Sequence, residues 1–81
     1  MDLEFISIGE NSLLSASRLI ALVGPDSAPV RRLIQEARDR GVLVDCSRGG
    51  KTRSVLIMDS DHVILSALDP SEIEAELKKI K

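Results

Sequence analysis

Residues 53–67 read Arg-Ser-Val-Leu-Ile-Met-Asp-Ser-Asp-His-Val-Ile-Leu-Ser-Ala. Two apolar runs rich in β-branched residues flank Asp59-Ser60-Asp61. Asp and Ser hydrogen-bond their own backbone in turns, so the stretch predicts strands at about 53–58 and 62–67, paired as an antiparallel hairpin. Directly downstream, Asp69-Pro70-Ser71-Glu72 has the form of a helix start: an aspartate cap, proline at the first position and glutamate at the third. Ile73, Leu77 and Ile80 supply an apolar seam, with acids early and Lys78 and Lys79 late, as the helix dipole favours.

Upstream, Ser27 is placed to cap a second helix with Pro29 in its first turn. Val30, Leu33, Ile34 and Ala37 recur at helical spacing, and Gly41 suits the left-handed position that ends a helix. Residues 42–46 (Val-Leu-Val-Asp-Cys), 18–23 (Arg-Leu-Ile-Ala-Leu-Val) and 3–8 (Leu-Glu-Phe-Ile-Ser-Ile) read as strands. Leu13-Leu14 fits part of a strand or a bulge. The order is ββαβββα: an α+β fold of about five strands, mostly antiparallel, with two helices, and residues 1–81 form a single domain.

The 81 residues leave room for one small domain, and 43% hydrophobic with 30% charged is ordinary globular composition. A chain this short buries only about 60% of the surface its unfolded form exposes. Apolar strands such as 62–67 are therefore expected to seek partners, which points to assembly beyond a monomer. Cys46 is the only cysteine, so no intramolecular disulfide forms and a reducing cytoplasm is the expected location. No apolar stretch approaches the ~20 residues that span a bilayer, and Met1-Asp2-Leu3-Glu4 is acidic where a signal peptide would be basic. No membrane association is expected.

Net charge is −2, yet its distribution is uneven. Residues 31–53 carry seven basic side chains against three acidic ones, while the segments on either side are net negative. Phe5 is the sole aromatic residue, which argues against nucleic-acid binding by base stacking but not against contact with a duplex backbone.

Within the basic middle lies Asp45-Cys46-Ser47-Arg48-Gly49-Gly50-Lys51-Thr52. It ends in Gly-Lys-Thr like a nucleotide-binding loop, but the leading glycine of that pattern is Asp45, and a strand follows where a helix belongs. Two readings remain open: a polar hairpin loop, or a loop gripping phosphates. In the second, Gly49 and Gly50 let the main chain approach while Arg48, Lys51 and Arg53 supply charge. Arg18 fits either an exposed edge arginine or a placed anion-binding cation. Arg31, Arg32, Arg38 and Arg40 read as a solvated helix face. His62 reads as a strand-edge histidine, Cys46 as a small hydrophobe, and Asp59 and Asp61 as turn residues. Nothing indicates catalysis, a metal, a cofactor or a small-molecule ligand.

Ser27-Ala28-Pro29-Val30-Arg31-Arg32-Leu33-Ile34-Gln35-Glu36-Ala37-Arg38-Asp39-Arg40, the pair Thr52-Arg53 and the run 57–67 resemble the RemA family of bacterial extracellular-matrix regulators, over about residues 3–70. The resemblance implies a small transcription regulator that forms rings and binds double-stranded DNA on a multivalent basic surface. It implies DNA contacts at Arg18 and Arg53. Members carry paired arginines before the Thr-Arg; this chain has Gly50-Lys51, and lysine lacks the planar fork of arginine. The expected site is Arg18, Arg48, Gly49, Gly50, Lys51 and Arg53. An oligomeric scaffold whose basic loop meets an acidic protein is the alternative.

Overall fold

The computed structural model describes residues 4–9 and 11–80. Its order is β1 (Phe5–Gly9), β2 (Ser12–Ser15), a 3-10 turn (Ala16–Arg18), β3 (Leu19–Val23), α1 (Ala28–Arg40), β4 (Leu43–Asp45), β5 (Ser54–Met58), β6 (Val63–Ser66) and α2 (Pro70–Lys78). The α+β class holds, with six strands in two sheets. The extra strand is β2: Leu13-Leu14 belongs to a strand that pairs with β1, Ile6 opposite Leu14. The expected start of the first strand at Leu3, the first three residues of the acidic segment Met1-Asp2-Leu3-Glu4, and Glu10 lie outside the described residues.

The helix ends follow their local chemistry. Ser27 Oγ accepts from Val30 N–H at 3.3 Å, and Gly41 stops α1 with φ of 74°. At α2 the Asp69 carboxylate accepts from the first turn while Glu72 Oε1 accepts from Asp69 N–H at 3.1 Å, a complete capping box.

The larger sheet has the order β3-β5-β6-β4. All its pairs are antiparallel except β4–β6, which is parallel, with Leu43 opposite Val63. Both faces are covered, which is why β5 reads as an unbroken apolar run rather than an alternating one. Val55 faces α1 together with Val63 and Leu65, against Val30, Leu33, Ile34 and Ala37. Leu56 and Met58 point the other way, onto Ile6, Ile8 and Leu14 of the hairpin and Ile73 of α2. Two buried serines tie these layers: the Ser54 hydroxyl donates to Leu68 O at 2.6 Å, and the Ser66 hydroxyl donates to Ile8 O.

One expectation is corrected. The segment 62–67 is not an unpartnered strand: β6 lies inside the sheet, paired on both sides, with Val63 and Leu65 buried. The exposed large apolar residues are elsewhere, namely Phe5 and Leu13 on the hairpin, Val44 on β4 and Ile20 on β3. Ile20 falls where the β3–β5 register shifts, and this irregularity leaves it 66% exposed.

Candidate functional site

The loop between β4 and β5 begins with a clamp. Asp45 accepts from Ser47 twice, from the hydroxyl at 2.6 Å and from the backbone N–H at 2.9 Å. These bonds, first the hydroxyl and then the N–H, hold the Asp45 carboxyl below its ordinary pKa, and the nearby charge of Arg38 adds to the effect. A tight turn follows at once. Gly50 N–H donates to Ser47 O at 3.0 Å, and the two residues between, Arg48 and Gly49, have φ of 56° and 84°. Two left-handed residues inside a closed four-residue turn are the type I′ pattern. Ser47 is buried, while Arg48, Gly49, Gly50, Lys51 and Arg53 are all exposed.

At the loop's end, Arg53 N–H donates to Ser66 O at 2.9 Å, fixing the base of that side chain to the sheet. Among the described residues, the Lys51 and Arg53 side chains make no hydrogen bond or ion pair. The Arg53 charge is felt at Asp69, whose carboxyl is held below its ordinary pKa by Ser71, through its hydroxyl and its N–H, and more weakly by Arg53. Gly50 is not in a left-handed conformation. A Cβ there would lie 3.2 Å from Ser47 O and 3.6 Å from the Ala67 Cβ, so a second cation at this position requires the turn to give by a few tenths of an ångström.

Arg18 is not beside this loop. β3 runs antiparallel to β5 with Leu19 opposite Met58 and Val23 opposite Val55. Arg18 therefore stands where β5 enters the Asp59-Ser60-Asp61 turn, and Arg53 stands before β5 begins. Six steps of extended chain separate Arg53 from Asp59, roughly 20 Å. The expected site is thus divided between two ends of one sheet. At its own end, Arg18 Nη1 lies 3.5 Å from Asp59 Oδ1, and Asp59 N–H donates to Arg18 O at 2.8 Å.

The helix arginines are exposed, and two of the four have partners: Arg31 Nη2 donates to Asp26 O at 2.6 Å, and Arg38 Nη1 donates to Gln35 Oε1 at 3.2 Å. His62 is exposed, with Nδ1 2.8 Å from the Ser60 hydroxyl. Asp61 serves the turn, its N–H donating to Met58 O at 3.1 Å. Cys46 is a half-buried free thiol packed against the hairpin core. A strand follows Thr52, so the helix that a nucleotide-binding loop needs is replaced by β5. No helix among the described residues is long and apolar enough to cross a membrane.

Sequence reading missed Asp45 as the loop's anchor and Asp59 as Arg18's partner. The first had a signal, since Asp-x-Ser is an Asx-turn pattern; the second is set by pairing of segments 41 positions apart and had none.

The Asp45 clamp has a pH signature. A carboxyl whose folded pKa is depressed stabilises the fold above its ordinary value of about 3.9 and loses that contribution as pH falls through the folded value. The melting temperature of Asp45→Asn is therefore expected to lie below wild type at pH 6 and to converge on it towards pH 3. A constant gap across that range would exclude the ionised clamp.

Comparison with known proteins covers nearly all of this framework. A family model described as extracellular matrix regulatory protein A-like matches residues 5–77. Over 77 residues the chain is 54% identical to a protein of Heliobacterium modesticaldum, covering 95% of this chain and 85% of that one. A protein of Clostridium acetobutylicum is also 54% identical, with 84% of its length covered, and one of Carboxydothermus hydrogenoformans is 52% identical, with 88% covered. All three are named "Putative regulatory protein". With β1 through most of α2 inside the matched span, the chain belongs to the RemA-like family of regulatory proteins.

Proposed function

We propose that the chain is a cytoplasmic, homo-oligomeric transcription regulator that binds duplex DNA through its phosphates, with extracellular-matrix or biofilm genes as targets. The observation that carries this is the hydrogen-bonded turn from Ser47 to Gly50, with Arg48 inside it and Lys51 and Arg53 just beyond. Phosphate contact needs charge and close main-chain approach, and this loop has both. It has no Asn or Gln to read base edges, so affinity is to be mainly electrostatic and weakly selective for sequence.

A single copy with net charge −2 would bind a polyanion feebly. Several copies on one body act together through effective concentration. Assembly is supported by the apolar surface on the free strands: Phe5 is 57% and Leu13 71% exposed, and β3 and β4 each pair on one side only in the larger sheet. Light scattering at micromolar concentration is expected to give a multiple of 8.8 kDa, and Ile20→Glu is expected to lower that mass. An 8.8 kDa wild-type species would refute assembly.

The test of the reading is a salt titration against arbitrary duplex DNA. With six or more phosphate contacts per assembly, affinity should drop by about 10³-fold between 50 and 200 mM salt. A flat response, or no binding, would favour the alternative in which the loop meets an acidic protein.

A further inference from the structure

Arg18 closes the 3-10 turn, and its carbonyl accepts the Asp59 N–H, so the backbone at this corner is held from both strands. Beyond that bond the guanidinium faces the Asp59 carboxylate at 3.5 Å, with the two side chains 67% and 47% exposed. An ion pair this long and wet adds little to folding. Its effect is on Arg18 itself. The carboxylate competes with a phosphate for one edge of the guanidinium, at Nη1, and it biases where the guanidinium points. The Asp69 carboxylate near Arg53 differs, because it is committed to Ser71 and the α2 cap. Asp59 Oδ1 and Oδ2 have no partner other than Arg18 among the described residues.

We infer that Asp59 is an intramolecular stand-in for a DNA phosphate: it positions the Arg18 guanidinium over the corner and is displaced when Arg18 takes a phosphate. The inference rests on the reading of Arg18 as a DNA contact. It has a consequence in ion counting. Arg18 exchanges one anion for another, and the freed carboxylate regains its own cation, so wild-type binding releases fewer ions than its basic residues suggest. Asp59→Asn removes the competitor while keeping the backbone N–H and a side chain suited to the turn.

Wild type, Asp59→Asn, Arg18→Ala and the double variant are titrated against one fluorescent duplex at 50–200 mM salt, with mass followed by light scattering. Asp59→Ser serves as a second neutral variant should Asp59→Asn fold poorly. Removing Asp59 is expected to tighten binding about two- to fivefold, the range of an exposed ion pair. It should also steepen the log–log salt slope, by less than the ~0.9 that one phosphate contact contributes for each engaged subunit, because a lone carboxylate holds its cation more loosely than duplex DNA does. In the Arg18→Ala background the same change should do nothing. An equal gain in both backgrounds would mean a general charge effect and overturn the inference, as would unchanged or weaker binding by Asp59→Asn when Arg18→Ala weakens it. Absence of salt-sensitive binding by the wild type would overturn the DNA reading itself, and the wild-type curve alone reveals that.

Discussion

Leu56→Ala is expected to lower the unfolding free energy by about 3–5 kcal/mol, measured by urea denaturation at fixed protein concentration. Leu56 is fully buried on the second strand of the larger sheet, under the hairpin and α2 at once. Its loss opens a cavity that neither layer closes easily, because the hairpin is fastened by the Ser66 hydroxyl and α2 by the Ser54 bond ahead of its cap. A chain of 81 residues has a total stability of only about 4–12 kcal/mol. One side chain therefore commands a large share of it. Arg40→Ala is the control: the side chain is exposed on α1, so the change should fall within about 0.5 kcal/mol. Equal losses at the two positions would show that the core is misassigned.

The second large effect is on binding. Lys51→Ala with Arg53→Ala should weaken duplex binding on the order of a hundredfold near 0.1 M salt and flatten the salt slope by about 1.8 for each engaged subunit, while melting and mass stay unchanged. Both side chains are exposed and make no hydrogen bond or ion pair in the described structure, so truncating them should cost the fold little. Arg31→Ala and Arg38→Ala are the comparison, since the Arg31 guanidinium is held by Asp26 O just ahead of α1 and that of Arg38 by Gln35, on a helix that also carries Glu36 and Asp39. They should change affinity by no more than about threefold, as peripheral charges do. Normal binding by the loop variant together with collapse in the helix variants would move the interface onto α1.

The elements with a complete local code were legible. Ser27, Pro29 and Gly41 delimit α1, Asp69 and Glu72 open α2, and Asp59-Ser60-Asp61 closes the β5–β6 hairpin, each through bonds made within a few residues. β2 was harder because Ser12–Ser15 has one inward residue, Leu14, beside an exposed Leu13; a single position shows no period. The parallel seat of β4 was not legible either, since three residues carry no mark of the direction of their neighbour. The same division holds for the site. The loop cations of the candidate site could be picked out from the local charge excess and Arg18 only through the family resemblance, but the β3–β5 register, made across more than thirty residues, decides that Arg18 and Arg53 stand at opposite ends of β5.

The Asp45–Ser47 clamp and the turn after it also bear on the entropy of binding. Ordering a flexible loop costs about 1–2 kcal/mol per residue, and in many nucleic-acid-binding segments that cost falls on the encounter with the partner. Here the backbone from Asp45 to Gly50 is fixed by three hydrogen bonds before any partner arrives. The cost falls on folding, and the side-chain rotation of exposed cations such as Lys51 and Arg53 is left for the bound state. Affinity is then sensitive to groups that touch no DNA: loosening the clamp would weaken binding without removing a single positive charge.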